Sequence, residues 1–237
     1  MKKIKCFLIL FISLTSVRNI AQTAEDYINS GNYKARMNDE KGAIEDYTKA
    51  IELEPSLSIG YFNIANSKYH LKDFHGALKN YTKAIEIDSS YTDAYLDRGG
   101  CKLMLGDHYG ALDDYKKAIE LRPRDARAYC GKGDCKYKLS DFESAIQDYT
   151  KSIEIDPNNA SVYISRGTCY HKVKSDEAAV KDYSKAIELE PMNYNSYNIR
   201  AVTKFILGDK KGACLDWSRA GELGDSNAYN YIKANCK

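Results

Sequence analysis

Proline is scarce, at four residues in 237. The residue that most disrupts helix interiors is therefore almost missing, and long helical stretches are permitted. Phenylalanine (6) and tryptophan (1) are also few, whereas tyrosine numbers 20. Tyrosine suits a helix face that is buried along the ring and polar at its tip. A dominant charge is missing as well: 35 basic against 33 acidic residues give a formal net charge of +2. Lys2, Lys3, Lys5 and Arg18 lie in the first 23 residues, which hold no acid, so the remainder is slightly acidic and of mixed sign. That balance gives no reason to expect nucleic acid or an anionic membrane as partner. With 43% hydrophobic and 29% charged residues the chain reads as folded and not disordered.

Catalytic motifs are missing too. There is no HExxH, no GxSxG, no phosphate-binding loop and no CxxC. The four histidines, His70, His75, His108 and His171, do not stand at zinc spacing from cysteines. Gly131-Lys132-Gly133 is a fragment of a phosphate loop, but it falls in a helical stretch whose backbone N–H groups are already used. Acids such as Asp113 and Asp114 sit on repeated surfaces. No catalytic residue, cofactor or metal site is expected, and the chain does not read as an enzyme.

The amino-terminal segment differs from the rest. Lys2, Lys3 and Lys5 form a positive start, and Cys6 to Val17 is an apolar stretch of twelve residues. A bilayer-spanning helix needs about 20. Small residues around Ala21 offer cleavage after it, or after Thr23 or Ala24. Residues 1–23 thus read as a secretory signal peptide, with an uncleaved anchor as the alternative. Cys6 begins the apolar run instead of following it, so it is not a lipid-attachment cysteine. The short lysine-rich start resembles bacterial export signals, which implies periplasm, cell surface or medium, with no membrane span after cleavage.

What fills the remainder is repetition. The phrase Ala43-Ile44-Glu45-Asp46-Tyr47 through Pro55 returns at Ala77 to Ile87, Ala111 to Pro123, Ala145 to Pro157 and Ala179 to Pro191. The alanines at 43, 77, 111, 145, 179 and 213 are spaced by 34. Six units of this length occupy 24–57, 58–91, 92–125, 126–159, 160–193 and 194–227. Each carries two helical patterns and a break. In the third unit Tyr95, Gly99 and Lys102 share one helix face, Gly106-Asp107 interrupts, and Ala111, Tyr115 and Ala118 share the next. One such hairpin cannot bury its apolar faces alone, whereas a stack of them can.

These residues resemble the tetratricopeptide repeat. That family places an aromatic, a glycine, then alanine, aromatic, alanine and proline at fixed places in a 34-residue unit. Here the first aromatic is Tyr27, Tyr61, Tyr95, Tyr129, Tyr163 and Tyr197; the second is Tyr47, Tyr81, Tyr115, Tyr149, Tyr183 and Trp217. The resemblance implies an all-α, right-handed solenoid of six hairpins, with a capping helix over 228–237. The final unit ends Gly221-Glu222-Leu223-Gly224 without proline, and this end resembles the related Sel1-type repeat.

Departures from the family pattern carry expectations of their own. Arg98, Lys132, Arg166 and Arg200 stand where the family often has leucine, and an aspartate precedes the second aromatic at 46, 114, 148, 182 and 216. We expect Arg–Asp pairs within units three, five and six and a Lys–Asp pair in unit four, acting as a clasp between the two helices of a hairpin. Unit two breaks this pattern with Asn80, and it has Ser89 in place of proline; unit five has Lys174-Ser175-Asp176 at its break. Cys101, Cys135 and Cys169 share a register that calls for small buried side chains, too far apart for disulfides. Cys214 and Cys236 fall on the last hairpin and the cap, either as a disulfide or as two reduced buried thiols.

The family lines its concave face with the first helix of each unit. The residues expected there are Phe62, Asn66, Tyr69, Leu96, Leu103, Asp134, Tyr137 and His171. Apolar positions flanking a small or polar one suit an extended peptide, whose side chains need pockets while its backbone needs hydrogen bonds. The alternative is that the apolar members pack between neighbouring first helices. Chaperone-tail clamps of the family use basic residues in the groove, but Ile28, Phe62 and Leu96 hold the matching positions here, so that clamp is not expected. The function that follows is an extracytoplasmic scaffold binding a protein or peptide. A glycan-binding role is the alternative, with Phe62, Tyr69 and Tyr137 stacking on sugar rings.

Overall fold

The computed structural model describes residues 22–236. All but the last two residues of the expected signal peptide lie outside that range. Among the described residues there are thirteen helices and no strand. Six hairpins come first: α1 (Ala24–Arg36) with α2 (Glu40–Leu53), α3 (Ser58–His70) with α4 (Phe74–Ile87), and α5 (Thr92–Met104) with α6 (His108–Leu121). Then follow α7 (Ala126–Lys138) with α8 (Phe142–Ile155), α9 (Ala160–Lys172) with α10 (Asp176–Leu189), and α11 (Tyr194–Ile206) with α12 (Lys210–Glu222). A short α13 (Ala228–Asn235) closes the stack against α12. The chain is an all-α repeat solenoid.

The hairpins turn alike. Two residues past each first helix the backbone enters the left-handed region, at Asn38, Lys72, Gly106, Ser140, Lys174 and Gly208, with φ between 61° and 86°. The next residue caps the second helix. In five units it is aspartate (39, 73, 107, 141 and 209), whose carboxylate accepts from the N–H three residues on at 2.8–3.3 Å. This side chain satisfies a helix-end donor that has no partner within the helix. Unit five has Ser175 there, which makes no such bond. In unit two, Asp88 closes the inter-hairpin turn that lacks proline, accepting from the Ser90 N–H at 2.9 Å and the Ser90 hydroxyl at 2.6 Å.

Packing follows the repeated small residues. The alanines at 43, 77, 111, 145, 179 and 213 are wholly buried. Opposite them, the first helix offers Gly31, Ala65, Gly99, Gly133, Gly167 and Ala201, against which the second aromatic of the unit lies. A Cβ added to Gly133 would meet the Tyr149 ring at 2.8 Å, so close approach selects glycine there. Cys101, Cys135 and Cys169 are free and fully buried, as their register predicts. Burial of a large apolar side chain contributes roughly 1.5–3 kcal/mol, and every unit repeats that contribution.

The clasp is present in each unit where it was expected. Arg98 forks onto Asp114 at 2.9 and 2.6 Å, Arg166 onto Asp182 at 2.8 and 2.7 Å, and Arg200 onto Asp216 at 2.8 and 2.6 Å. Lys132 reaches Asp148 at 2.8 Å. The remaining Nη1 of each arginine donates backwards, to Thr82, Thr150 and Ser184 of the preceding hairpin at 3.2, 3.0 and 2.9 Å. One guanidinium thus ties two helices of its own hairpin and the hairpin before it. Unit two has neither partner: Ile64 is buried, and the Asn80 amide donates to its own helix at Gly76 O, 2.8 Å away.

Each second helix packs on the first helix of the next unit, and first helices also touch one another, α5 with α7 and α7 with α9. This closer approach makes the first helices the inner, concave wall. No described helix is long and apolar enough to cross a membrane.

Candidate functional site

The concave wall is organised by one register of the first helices. Asn32, Asn66, Gly100, Asp134, Thr168 and Val202 occupy it in units one to six. Beneath each lies the polar tip of the second aromatic. The Tyr47 hydroxyl donates to Asn32 Oδ1 at 2.8 Å, Tyr81 to Asn66 Oδ1 at 2.6 Å, and Tyr149 to Asp134 Oδ1 at 2.7 Å. A buried hydroxyl needs such a partner. Burial pushes the Tyr47 phenol up to about 12 and holds Tyr81 and Tyr149 well above the usual range, so all three stay protonated donors. Burial also raises the Asp134 carboxyl, with the Tyr149 hydroxyl pulling the other way.

Two units break the series. In unit three Gly100 brings no side chain to Tyr115. In unit six Val202 is apolar, and the buried Trp217 Nε1 is left without an acceptor. The Asn198 Oδ1, one turn earlier on α11, is likewise buried and unpartnered. The capping helix covers this end: Tyr231 stacks on Trp217 at 5.7 Å, and a disulfide joins Cys214 to Cys236.

Cavities follow the wall along its length. The first, about 440 Å³, lies between units one and two and is lined by Asn32, Asn63, Asn66 and His70. The second, about 420 Å³, holds Asn66, Tyr69, Leu96, Asp97, Tyr115 and Arg127. A third of about 600 Å³ is lined by Leu103, Asp134, Tyr137, Ile164 and Thr168. The fourth, about 400 Å³, carries Tyr137, Thr168, His171, Asn198, Trp217 and Tyr231. Asn66 and His70 border both cavities of the first pair, and Tyr137 and Thr168 both of the last.

Seven of the eight residues expected on the groove therefore border these cavities. Phe62 does not: it is half-buried, and its ring packs on Tyr81 and Tyr91, with centroids 5.8 and 4.8 Å away. Leu96 lies mostly in the core, only 5% exposed, and forms a cavity floor. His171 faces its cavity but its Nδ1 is held by Asp176 at 2.5 Å. The Tyr69 and Tyr137 rings lean edge-on against Phe74 and Phe142 at 5.2 and 5.6 Å.

Sequence reasoning missed the pairing of the tyrosine hydroxyls with Asn32, Asn66 and Asp134, Tyr115, Arg127 and above all Asp97. Burial pushes the Asp97 carboxyl up to about 6, against the lowering influence of Arg127. The one available signal was the interruption of the Asn32, Asn66, Asp134 series by Gly100. No group of three or more His, Cys, Asp or Glu side chains among the described residues is placed to hold a metal ion.

Family models described as tetratricopeptide repeat match residues 25–57, 62–126, 126–159 and 148–181. The chain belongs to the tetratricopeptide-repeat family. The matched residues stop at 181, so the expected Sel1-type character of the carboxy-terminal end is not shown. Solved structures agree on the fold. MamA is similar at 27% identity with a TM-score of 0.63, covering 68% of this chain and 94% of MamA. YrrB, a tetratricopeptide-repeat protein with an unusual peptide-binding site, is 23% identical with a TM-score of 0.64, covering 79% of this chain and 97% of its own. The pilF protein of Pseudomonas aeruginosa is 19% identical with a TM-score of 0.77, covering 89% and 96%. Among curated proteins no match to this tetratricopeptide-repeat chain is found.

Proposed function

We propose that this protein is a scaffold that holds an extended segment of a partner protein along its concave wall, and that it works outside the cytoplasm. The observation that carries the first part is the succession of four neighbouring cavities on one wall, with polar groups set between apolar ones. An extended peptide needs that alternation of side-chain pockets and hydrogen-bonding groups. YrrB indicates that the fold can carry a peptide site; the reading for this chain rests on its own groove.

Export is supported by the lysine-rich start followed by the apolar run Cys6 to Val17. The Cys214–Cys236 disulfide fits an oxidising compartment. A glycan ligand is less favoured, because Phe62, Tyr69 and Tyr137 each pack on a neighbouring aromatic ring.

The test is cross-linking and mass spectrometry in the native cell, comparing wild type with a Tyr69→Ala, Tyr137→Ala double variant. We expect partner proteins outside the cytoplasm whose cross-links map to first helices and vanish in the variant while its melting profile persists. Cross-links confined to the convex second helices, or a protein that fractionates with the cytoplasm, would contradict the corresponding half of the proposal.

A further inference from the structure

Unit three departs from its neighbours at two residues one turn apart. Gly100 takes the place of the side chain that bonds the tyrosine hydroxyl in units one, two and four. Packing does not demand this glycine: a Cβ there would come no closer than 3.7 Å to the Tyr115 hydroxyl, whereas at Gly99 beside it a Cβ would meet the Tyr115 ring at 3.0 Å. Gly100 therefore leaves space where a side chain would fit, and the cavity of about 420 Å³ lies there.

Asp97, three residues earlier on the same helix, lines the same cavity. The five clasp aspartates each have a cation within 2.8 Å: Lys34 on Asp46, Arg98 on Asp114, Lys132 on Asp148, Arg166 on Asp182, and Arg200 on Asp216. Asp97 has no hydrogen bond or ion pair among the described residues, and burial accordingly pushes its carboxyl up to about 6. Arg127, the basic residue on the cavity rim, is already held by Asp93 at 2.7 Å and Asp125 at 2.8 Å. His70, on the other side, is bonded to Glu40 at 2.7 Å. A partly dehydrated carboxylate without a cation is costly, and an incoming cation relieves that cost.

The walls fit the rest of such a ligand. Tyr69 supplies a ring and Leu96 an aliphatic floor for a methylene stem, and ring faces attract cations; the Tyr115 ring itself is buried between Gly99 and Gly131. The Tyr115 hydroxyl, unlike those of Tyr47, Tyr81 and Tyr149, has no side-chain partner and can accept from an ammonium or guanidinium. We infer that this cavity takes a lysine or arginine side chain of the bound segment, with the Asp97 carboxylate as its counter-ion and Gly100 as the residue that makes room. The inference rests on the groove reading above and names the side chain that one of its pockets selects.

The test uses the full chain as bait for a random-peptide display library. Recovered peptides are then measured by calorimetry in three forms: as selected, with the enriched basic residue changed to norleucine, and with it changed to glutamate. We expect one position to be enriched in lysine or arginine, and the norleucine change to weaken binding by roughly tenfold or more. In Asp97→Asn the same change has little effect, because the charge it removes no longer has a counter-ion. Gly100→Asn fills the cavity and offers an amide to Tyr115, so it weakens the selected peptide while leaving the melting temperature at or above that of wild type. Enrichment of acidic residues, or a norleucine penalty of the same size in Asp97→Asn, overturns the inference. Peptides that are lost on Tyr137→Ala but indifferent to Asp97 leave the groove reading standing and remove only this one. A library that yields no groove-binding peptide removes both.

Discussion

Two registers of the first helices, two residues apart, behave in opposite ways. One carries Ser30, Ile64, Arg98, Lys132, Arg166 and Arg200 and faces the second helix; in five of six units its side chain donates to an aspartate of that helix. The other carries Asn32, Asn66, Gly100, Asp134, Thr168 and Val202 and faces the concave wall, where units three and six bring no polar side chain to the aromatic's tip. The first register repeats because every hairpin needs the same tie to its neighbours. The second is free to vary because no tie between hairpins depends on it, and on the proposed reading a bound segment differs along its length. In a solenoid, regularity marks what holds the stack together, and its interruptions mark where something else is meant to complete it.

The sharpest way to break this comparison is to cut the clasp. Asp182→Ala leaves the Arg166 guanidinium, 15% exposed, without its counter-charge. Removing one member of such a pair costs about 3–5 kcal/mol, and urea unfolding followed by circular dichroism reads it. The matching change in unit two, Asn80→Ala, removes only a bond to Gly76 O on the same helix and is expected to cost about 1 kcal/mol or less. Equal losses from both changes would mean that the clasp is not what ties the hairpins.

Next in size is the carboxy-terminal end, where no following hairpin covers unit six. The Cys214–Cys236 bridge spans 22 residues and is expected to contribute about 2–4 kcal/mol. Reductant, or Cys236→Ser, lowers the melting transition accordingly and exposes Trp217, whose fluorescence shifts to the red. A transition that ignores reductant would show the thiols to be unpaired in solution.

At Asp97, one turn before Gly100 of the concave register, the sign reverses. The folded state raises the Asp97 carboxyl from 3.8 to about 6. A raised carboxyl binds its proton more tightly in the folded chain, so its favourable contribution is present below the unfolded value and is lost as pH rises through about 6. Asp97→Asn removes that loss. Relative to wild type it is expected to gain about 1–2 kcal/mol at pH 7, after allowance for solvent screening, and next to nothing at about pH 3, below the unfolded value. Paired unfolding curves across that range measure it. A constant difference at all pH values would show that the carboxyl is solvated and the cavity open to water.

How much of this could be read in the sequence follows the same division. The hairpins were legible because alanine, tyrosine and proline recur every 34 residues, and the clasp because arginine or lysine recurs with an aspartate 16 residues on. Periodicity supplies a test on each repeat. The tyrosine hydroxyl pairs recur too, at a separation of 15, but nothing in one helix reveals that a ring from the other ends beneath its asparagine or aspartate. The packing of Phe62 was hidden for a related reason: spacing puts it on the inner side of α3, but only geometry brings the Tyr91 ring against it. Asp97 occurs in one unit only, and its isolation depends on where Arg127 directs its guanidinium, which only geometry reveals.

The smallest effect isolates the hairpin turn from both registers. Gly106 and Lys174 hold equivalent positions, with φ of 82° and 61°. A Cβ on Gly106 meets nothing within 4 Å, so Gly106→Ala tests backbone conformation with no steric contact added. It is expected to cost about 1 kcal/mol, since an L-residue disfavours that region. Lys174→Gly runs the other way and is expected to gain about 0.5–1 kcal/mol. Unit five is where that gain should be clearest, because Ser175 supplies no capping bond to help hold the turn. Both changes lie at an end of the hairpins, away from Asp97, Tyr115 and the clasp, so peptide binding should be unchanged. If Lys174→Gly instead destabilises, the left-handed residue is held by contacts of its side chain, and the turns are not interchangeable between units as their common geometry implies.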